Sequence, residues 1–359
     1  MKTRIKDIIF ICFITTAFIY ALINPYGTAY YCKGALQICA NSVIPSLFIF
    51  IVLSKMISCA SSFFHGKSKE TFLSKIFLLP DTLIPTVICG LFLGAPSGAC
   101  AVKDLYNKKL CTKNQAEIAI TLCNNVSAGF IVSIAGVCLE NIRLSFLLLL
   151  SNVLSVITVY FLMFRSKQVY KERSIPDYTP TKINVTKSIS LSITDATLTT
   201  ITLCGYILFF YTFSGILTDK LYYIFSSDVL KVFINSIFEM TSGVIACSVI
   251  EGNAKIILCA FAVSFCGLSV IFQVISVLNQ TDISCKNFIL SKILCGLLCP
   301  VYMIIFLLII PRRIISVGNF NFLLNTGFTV GHLYSLMFVF IIFSFCVEIV
   351  RIIDKNNKN

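Results

Sequence analysis

The chain has 359 residues, of which 57% are hydrophobic and 13% charged, against roughly a quarter charged in soluble domains. With a mean hydropathy of +0.90, too little charge remains to cover a folded surface in water, so an ordinary soluble domain is excluded and the bilayer is the main solvent. Lys and Arg outnumber Asp and Glu by 29 to 16, a net charge of +13, but the basic residues fall between apolar runs, where cytoplasmic loops facing anionic lipid hold them, and this excludes nucleic acid as the partner.

A membrane-spanning helix needs about 20 mostly apolar residues. The first such run, Ile8 to Ile23, follows Lys2, Arg4 and Lys6 and ends at Asn24-Pro25-Tyr26-Gly27 with no small-residue cleavage site, so it reads as a retained helix with its N-terminus inside. Further apolar windows cover 35–58, 72–102, 116–139, 142–164, 191–217, 229–250, 255–278, 288–310 and 331–350. The expected fold is therefore an all-α polytopic membrane bundle of about eight to ten segments. The basic stretch 165–190, with two prolines, reads as a cytoplasmic linker between a membrane half 1–164 and a second half 191–359.

The window 72–102 is too long for one simple span and carries Pro80, Pro85 and Pro96 together with Gly90, Gly94 and Gly98. Residues of that kind at that density break a helix. A re-entrant hairpin keeps the basic loops 65–75, 103–113 and 165–187 on one side, whereas a full crossing puts Lys103, Lys108, Lys109 and Lys113 outside against the positive-inside bias; the hairpin is preferred. A shift of 173 positions lays Phe92-Leu93-Gly94 on Phe265-Cys266-Gly267, Leu105 on Leu278 and Lys113-Asn114 on Lys286-Asn287. Paired interrupted segments of this type point to a two-half internal repeat with a transporter binding site at its interface.

Four stretches carry candidate chemistry. In Gly94-Ala95-Pro96-Ser97-Gly98-Ala99, a proline among small residues frees backbone groups that hydrocarbon cannot satisfy. Either neighbouring helices pack closely there, or a half-helix points free N–H groups into a wet cavity, which favours an anion. Asn124 and Asn125 lie in the middle of the 116–139 run, where two amides aimed about 100° apart need different partners; one can join helices while the other faces a cavity. Glu239, followed by Thr241, Ser242 and Gly243, interrupts the 229–250 window. A carboxylate at that depth takes up a proton, holds a cation or pairs with a buried base. Ser269 and Gln273, one turn apart after Gly267, share a helix face directed either at a cavity or at a polar packing seam. Asp195 reads as interfacial.

No catalytic signature is present: the chain lacks a metalloprotease motif, a nucleophile elbow, a P-loop and paired intramembrane aspartates, so it is not expected to be an enzyme. Its 17 cysteines are scattered without a C-x-x-C pair, and two histidines, His65 and His332, are too few for a structural zinc site. No metal or cofactor is expected.

The run from Gly94 to Ala99, then Asp104-Leu105-Tyr106, then Cys123-Asn124-Asn125 with Ser127, Phe130, Ile131 and Gly136, resembles the YlbJ (SpoVV) family of sporulation integral membrane proteins. The likeness continues through Glu239-Met240-Thr241-Ser242-Gly243 and Phe265-Cys266-Gly267-Leu268-Ser269-Val270 with Gln273, and covers about residues 35 to 310. Two positions depart from the family's pattern: Ala95 stands where an aromatic is usual and Ala128 where a proline is usual, which alters the shape of the pocket. The resemblance implies a nucleoside-recognition, or Gate-type, core with paired re-entrant hairpins, and a role in moving dipicolinate, a small aromatic dianion, from the mother cell across the outer forespore membrane. Gly94, Ser97, Gly98, Asn124, Asn125, Thr241, Ser269 and Gln273 are then the expected substrate-binding residues, with Glu239 coupling transport to a proton or cation. A non-transporting scaffold for spore-envelope assembly, or a transporter of a nucleoside or another small carboxylate, is the alternative. The partners expected are the bilayer and a small anion, and a homo-oligomer or a spore-membrane partner is compatible with the chain.

Overall fold

The computed structural model describes Thr15 and residues 18–61, 72–164 and 185–309. The windows 331–350 and most of 8–23, and the linker residues 165–184, lie outside the described residues. Among the described residues the chain is helical without strands, an all-α membrane bundle. Asn24 caps the first complete helix, its Oδ1 accepting from the Gly27 N–H at 3.0 Å, with Pro25 at the first position. Helix α1 (Pro25–Ile38) runs through a π-helical turn (Cys39–Val43) into α2 (Ile44–Ser61). Then follow α3 (Phe72–Phe77), α4 (Ile84–Leu93), α5 (Ser97–Asn107) and α6 (Lys113–Cys123). The last opens on a reciprocal cap in which Thr112 Oγ1 accepts from the Gln115 N–H and Gln115 Oε1 from the Thr112 N–H.

After a non-helical step at Asn124–Ser127 the chain resumes as α7, made of Ala128–Phe130, a π turn Ile131–Ala135 and Gly136–Cys138, and continues into α8 (Ile142–Phe164). Helix α9 (Val185–Phe225) is 41 residues long and packs along α1 and α2. It begins inside the stretch expected to be linker, because 185–190 continues the helical run without a break. The remaining helices are α10 (Asp228–Phe238), α11 (Met240–Ala246), α12 (Gly252–Phe265), α13 (Gly267–Leu278) and α14 (Lys286–Ile309).

Among the described residues five stretches are long and apolar enough to cross a membrane: Lys113–Cys138, Ile142–Phe164, Ser188–Tyr223, Gly252–Leu278 and Lys286–Ile309. The apolar windows outnumber them partly because two windows fold back on themselves. Helices α4 and α5 have 10 and 11 residues, which at about 1.5 Å per residue is only half the thickness of the hydrocarbon core. A Cβ on Gly90 of α4 would fall 2.3 Å from Cys123 Cβ, and one on Gly98 of α5 would fall 2.2 Å from the Cys123 carbonyl oxygen. Positions on either side of Gly94 thus press on one residue, so the chain reverses there. At the other end Thr82 Oγ1 donates to the Leu110 carbonyl at 3.0 Å, closing the hairpin. Helices α10 and α11 form a second hairpin. A Cβ on Gly243 would lie 2.6 Å from Ser236 Cα, whereas seven residues of continuous helix would separate them by about 10 Å.

Each half therefore contains the same succession of hairpin, interrupted helix and full span: α4–α5, α6–α7 and α8 in the first, α10–α11, α12–α13 and α14 in the second. Equivalent elements are about 144 positions apart, with Ala95 on Glu239 and Ile142 on Lys286. The 173-position register is corrected by this. It placed the tip of the first hairpin on the break in the second through-running helix, because a Phe-x-Gly run marks both kinds of interruption.

The two halves run in opposite senses. Tyr160 and Phe164 near the end of α8 share a buried cluster with Phe288 at the start of α14, while Leu144 and Leu148 share another with Cys299 and Met303. The interrupted helices are antiparallel as well: Lys113 pairs with Asp282 at 3.2 Å at one end and Lys255 with Glu140 at 3.3 Å at the other. Their breaks consequently meet near the middle of the bundle.

Candidate functional site

Each hairpin tip seals the break in the interrupted helix of its own half. The Ala95 N–H donates to the Asn125 carbonyl at 2.7 Å, and the Ala99 N–H donates to Asn124 Oδ1 at 2.8 Å. Asn124 Nδ2 donates in turn to the Ile120 carbonyl at 2.9 Å. These bonds satisfy backbone groups that neither helix can serve internally. In the second half the break is turned by Cys266 and Gly267, with φ of 69° and 74°. A Cβ on Gly267 would lie 3.0 Å from the Met240 nitrogen, so the tip around Glu239 rests directly on this turn.

Between the two tips and the two breaks is a central cavity of about 50 Å³. Asn125, Ser127, Glu239, Thr241 and Gln273 are the polar residues in its wall, and Val43, Leu203 and Ile207 are among the residues closing it with apolar surface. Glu239 is the N-cap of α11 and is buried, with Oε2 accepting from the Ser242 N–H at 2.6 Å. The Ser242 hydroxyl donates to the Glu239 carbonyl at 2.8 Å. Among the described residues no lysine or arginine is ion-paired with this carboxylate. Gln273 reaches the wall while its Nε2 donates to Ser269 Oγ at 3.2 Å, so Ser269 orients Gln273 from behind.

Of the nine residues singled out from the sequence, Asn125, Glu239, Thr241 and Gln273 meet at this cavity. Gly94, Ser97, Gly98, Asn124 and Ser269 stand one layer back. Ser97 Oγ donates to the Gly94 carbonyl at 2.5 Å, and Gly94 and Gly98 allow the tip to approach Ser127 and Cys123. Sequence reasoning misses Lys292, which lies only six residues into α14, where a lysine ordinarily extends to the membrane surface. Here α6 and the second break enclose it, and its Nζ donates to Asn125 Oδ1 at 2.8 Å. The polar and small neighbours Ser291, Cys295 and Gly296 on the same helix were the available sign that this stretch faces protein.

A second, open cavity of about 560 Å³ is bordered by residues including Tyr30, Lys33, Gln37, Asn41 and Tyr211. Tyr211 and Ile207 are one turn apart on α9, as are Ile245 and Thr241 on α11, and Asn41 is beside Val43 in the π turn. The same three segments thus line both cavities in succession. Lys33, Gln37 and Asn41 recur every fourth residue and put a polar stripe along this route.

Elsewhere, Lys55 binds Asp104 at 3.0 Å and Asp195 at 3.5 Å. In the turn after α13 the Tyr106 hydroxyl donates to Asp282 at 2.7 Å. This bond, and then Lys113, hold the Asp282 carboxyl below its usual range, while the same bond pushes the Tyr106 phenol up.

Over 310 residues the chain is 25% identical to the sporulation integral membrane protein YlbJ of Bacillus subtilis (strain 168), a match covering 76% of each chain. The resemblance to the YlbJ family is borne out. No family model matches the chain, and no solved structure matches it.

Proposed function

We propose that the protein is a sporulation membrane transporter that carries a small aromatic dicarboxylate, dipicolinate, across the outer forespore membrane. One observation carries this reading: hairpin tips and helix breaks from two oppositely directed halves converge on a single cavity holding a buried carboxylate and two amides. Discontinuous helices at a repeat interface are where secondary transporters bind their cargo. Asn125, Thr241 and Gln273 hold the substrate, and Glu239 couples its passage to a proton or cation. Asn124, Gly94, Ser97 and Gly98 keep the first tip seated, and Ser269 keeps Gln273 in position.

Small-molecule sites generally measure about 300–1,000 Å³. The open cavity, at about 560 Å³, falls in that range and serves as the vestibule. The central cavity, at about 50 Å³, is below it, so passage requires the tips to part. Glu239 and the cavity amides have no such part in a scaffold that recruits envelope proteins.

The test is expression of the protein in a sporulating strain deleted for its own family member, with dipicolinate measured in purified forespores and in mother-cell cytoplasm after a tagged copy is confirmed in the membrane. Restored forespore dipicolinate is expected. Membrane-located protein with dipicolinate retained in the mother cell would refute the dipicolinate assignment.

A further inference from the structure

Among the described residues, Lys55, Lys113, Lys231 and Lys255 each meet an aspartate or glutamate. Lys292 is different. It is 1% exposed, lies among the helix breaks and has no carboxylate within ion-pair distance among the described residues. The groups around its Nζ are the Asn125 amide oxygen at 2.8 Å, the Cys266, Cys123 and Cys295 thiols and the Phe288 ring, whose centroid is 5.7 Å away. All are neutral, and an ammonium held only by neutral groups in a water-poor interior is costly to keep. An ionisable side chain in that situation marks a place where a counter-charge arrives from elsewhere.

Its position shows where that charge would come from. Asn125 belongs to the wall of the central cavity, so Nζ stands one hydrogen bond behind the wall. Because an ammonium can only donate, it fixes the amide oxygen toward itself and turns Nδ2 to the Leu122 carbonyl at 2.6 Å. We propose that Lys292 is the anion-recognition residue of the cavity and that a carboxylate of the cargo takes the place of the Asn125 oxygen on its Nζ. This rests on the transport reading and assigns to one residue its preference for an acid over an uncharged nucleoside. Glu239, contributed by the opposite half, lines the same cavity.

Wild-type protein and the Lys292→Met and Lys292→Arg variants, purified in lipid nanodiscs, are titrated with dipicolinate and with dipicolinamide, which has the same ring but no charge. Loss of one member of a buried charge pair weakens binding by about tenfold or more. The expected result is therefore that Lys292→Met loses about this factor for dipicolinate and little for dipicolinamide, and that Lys292→Arg retains the preference for the acid. A merely structural lysine would change both ligands alike. A folded Lys292→Met variant that binds dipicolinate as the wild type does overturns the proposal. So does a wild type that binds acid and amide equally, a result that does not depend on any variant folding. Wild type that binds neither ligand counts instead against the transport reading itself.

Discussion

Replacing Asn124 by alanine separates a residue that assembles the site from one that contacts the cargo. Its side chain is completely buried and joins the first hairpin to the interrupted helix through the Ala99 N–H at 2.8 Å and the Ile120 carbonyl at 2.9 Å. Alanine strands the Ala99 donor, at about 1–3 kcal/mol, and forfeits the second bond, worth about 0.5–1.5 kcal/mol, for a total of roughly 2–4 kcal/mol. At roughly 2 °C per kcal/mol, the apparent melting temperature should fall by about 4–8 °C. The chain has no tryptophan but 17 cysteines, most of the described ones buried, so a thiol-reactive fluorophore in mild detergent reports unfolding directly. Leu162→Ala, at a position 67% exposed on α8, serves as the control and should shift the melt by no more than about 1 °C. Because Asn124 does not line the cavity, the variant should bind dipicolinate normally at temperatures well below its melt. An unchanged melting temperature, or lost binding while the protein is still folded, would refute this assignment.

Glu239→Gln removes the charge but keeps an amide oxygen for the Ser242 N–H, so it should abolish transport while costing only about 1 kcal/mol of stability; wild-type uptake by the variant would rule out the coupling role. Gly243→Ala forces a methyl to within 2.4 Å of Ser236 Oγ and 2.6 Å of Ser236 Cα. It should lower the apparent melting temperature by several degrees and abolish transport, and an unaffected protein would show that α10 and α11 are not so closely paired. Tyr106→Phe deletes the largest cause of the lowered Asp282 pKa, so the carboxyl should titrate nearer to about 3.9. A depressed carboxyl contributes stability above its unfolded pKa and loses it as pH falls through the folded pKa. The difference in melting temperature between wild type and Tyr106→Phe should therefore be full at pH 6 and shrink as the pH falls through and below the ordinary aspartate range. A difference that grows on acidification would be the wrong sign.

The composition alone required a membrane protein, because a chain with 13% charged residues cannot cover a folded surface in water. Local chemistry also placed the breaks. Pro96 among glycines, two adjacent asparagines, a glutamate inside an apolar window and a glycine before Ser269 each interrupt a helix for reasons confined to a few residues, and the chain breaks near all four. The register of the repeat was not legible in the same way. A hairpin tip and a step in a through-running helix use the same small and proline residues, and only packing distinguishes them, as when Gly90 and Gly98 both press on Cys123. Tertiary structure also sorted the candidates. Neighbours one position apart face different partners, so Asn124 became a clamp for the hairpin and Asn125 a cavity wall. Lys292 illustrates the same division most clearly. A lysine six residues into an apolar helix extends to the surface if that face is open, and becomes a buried charge beside the cavity if another interrupted helix covers it. That depends on contacts 167 residues away in the chain, which no local pattern encodes.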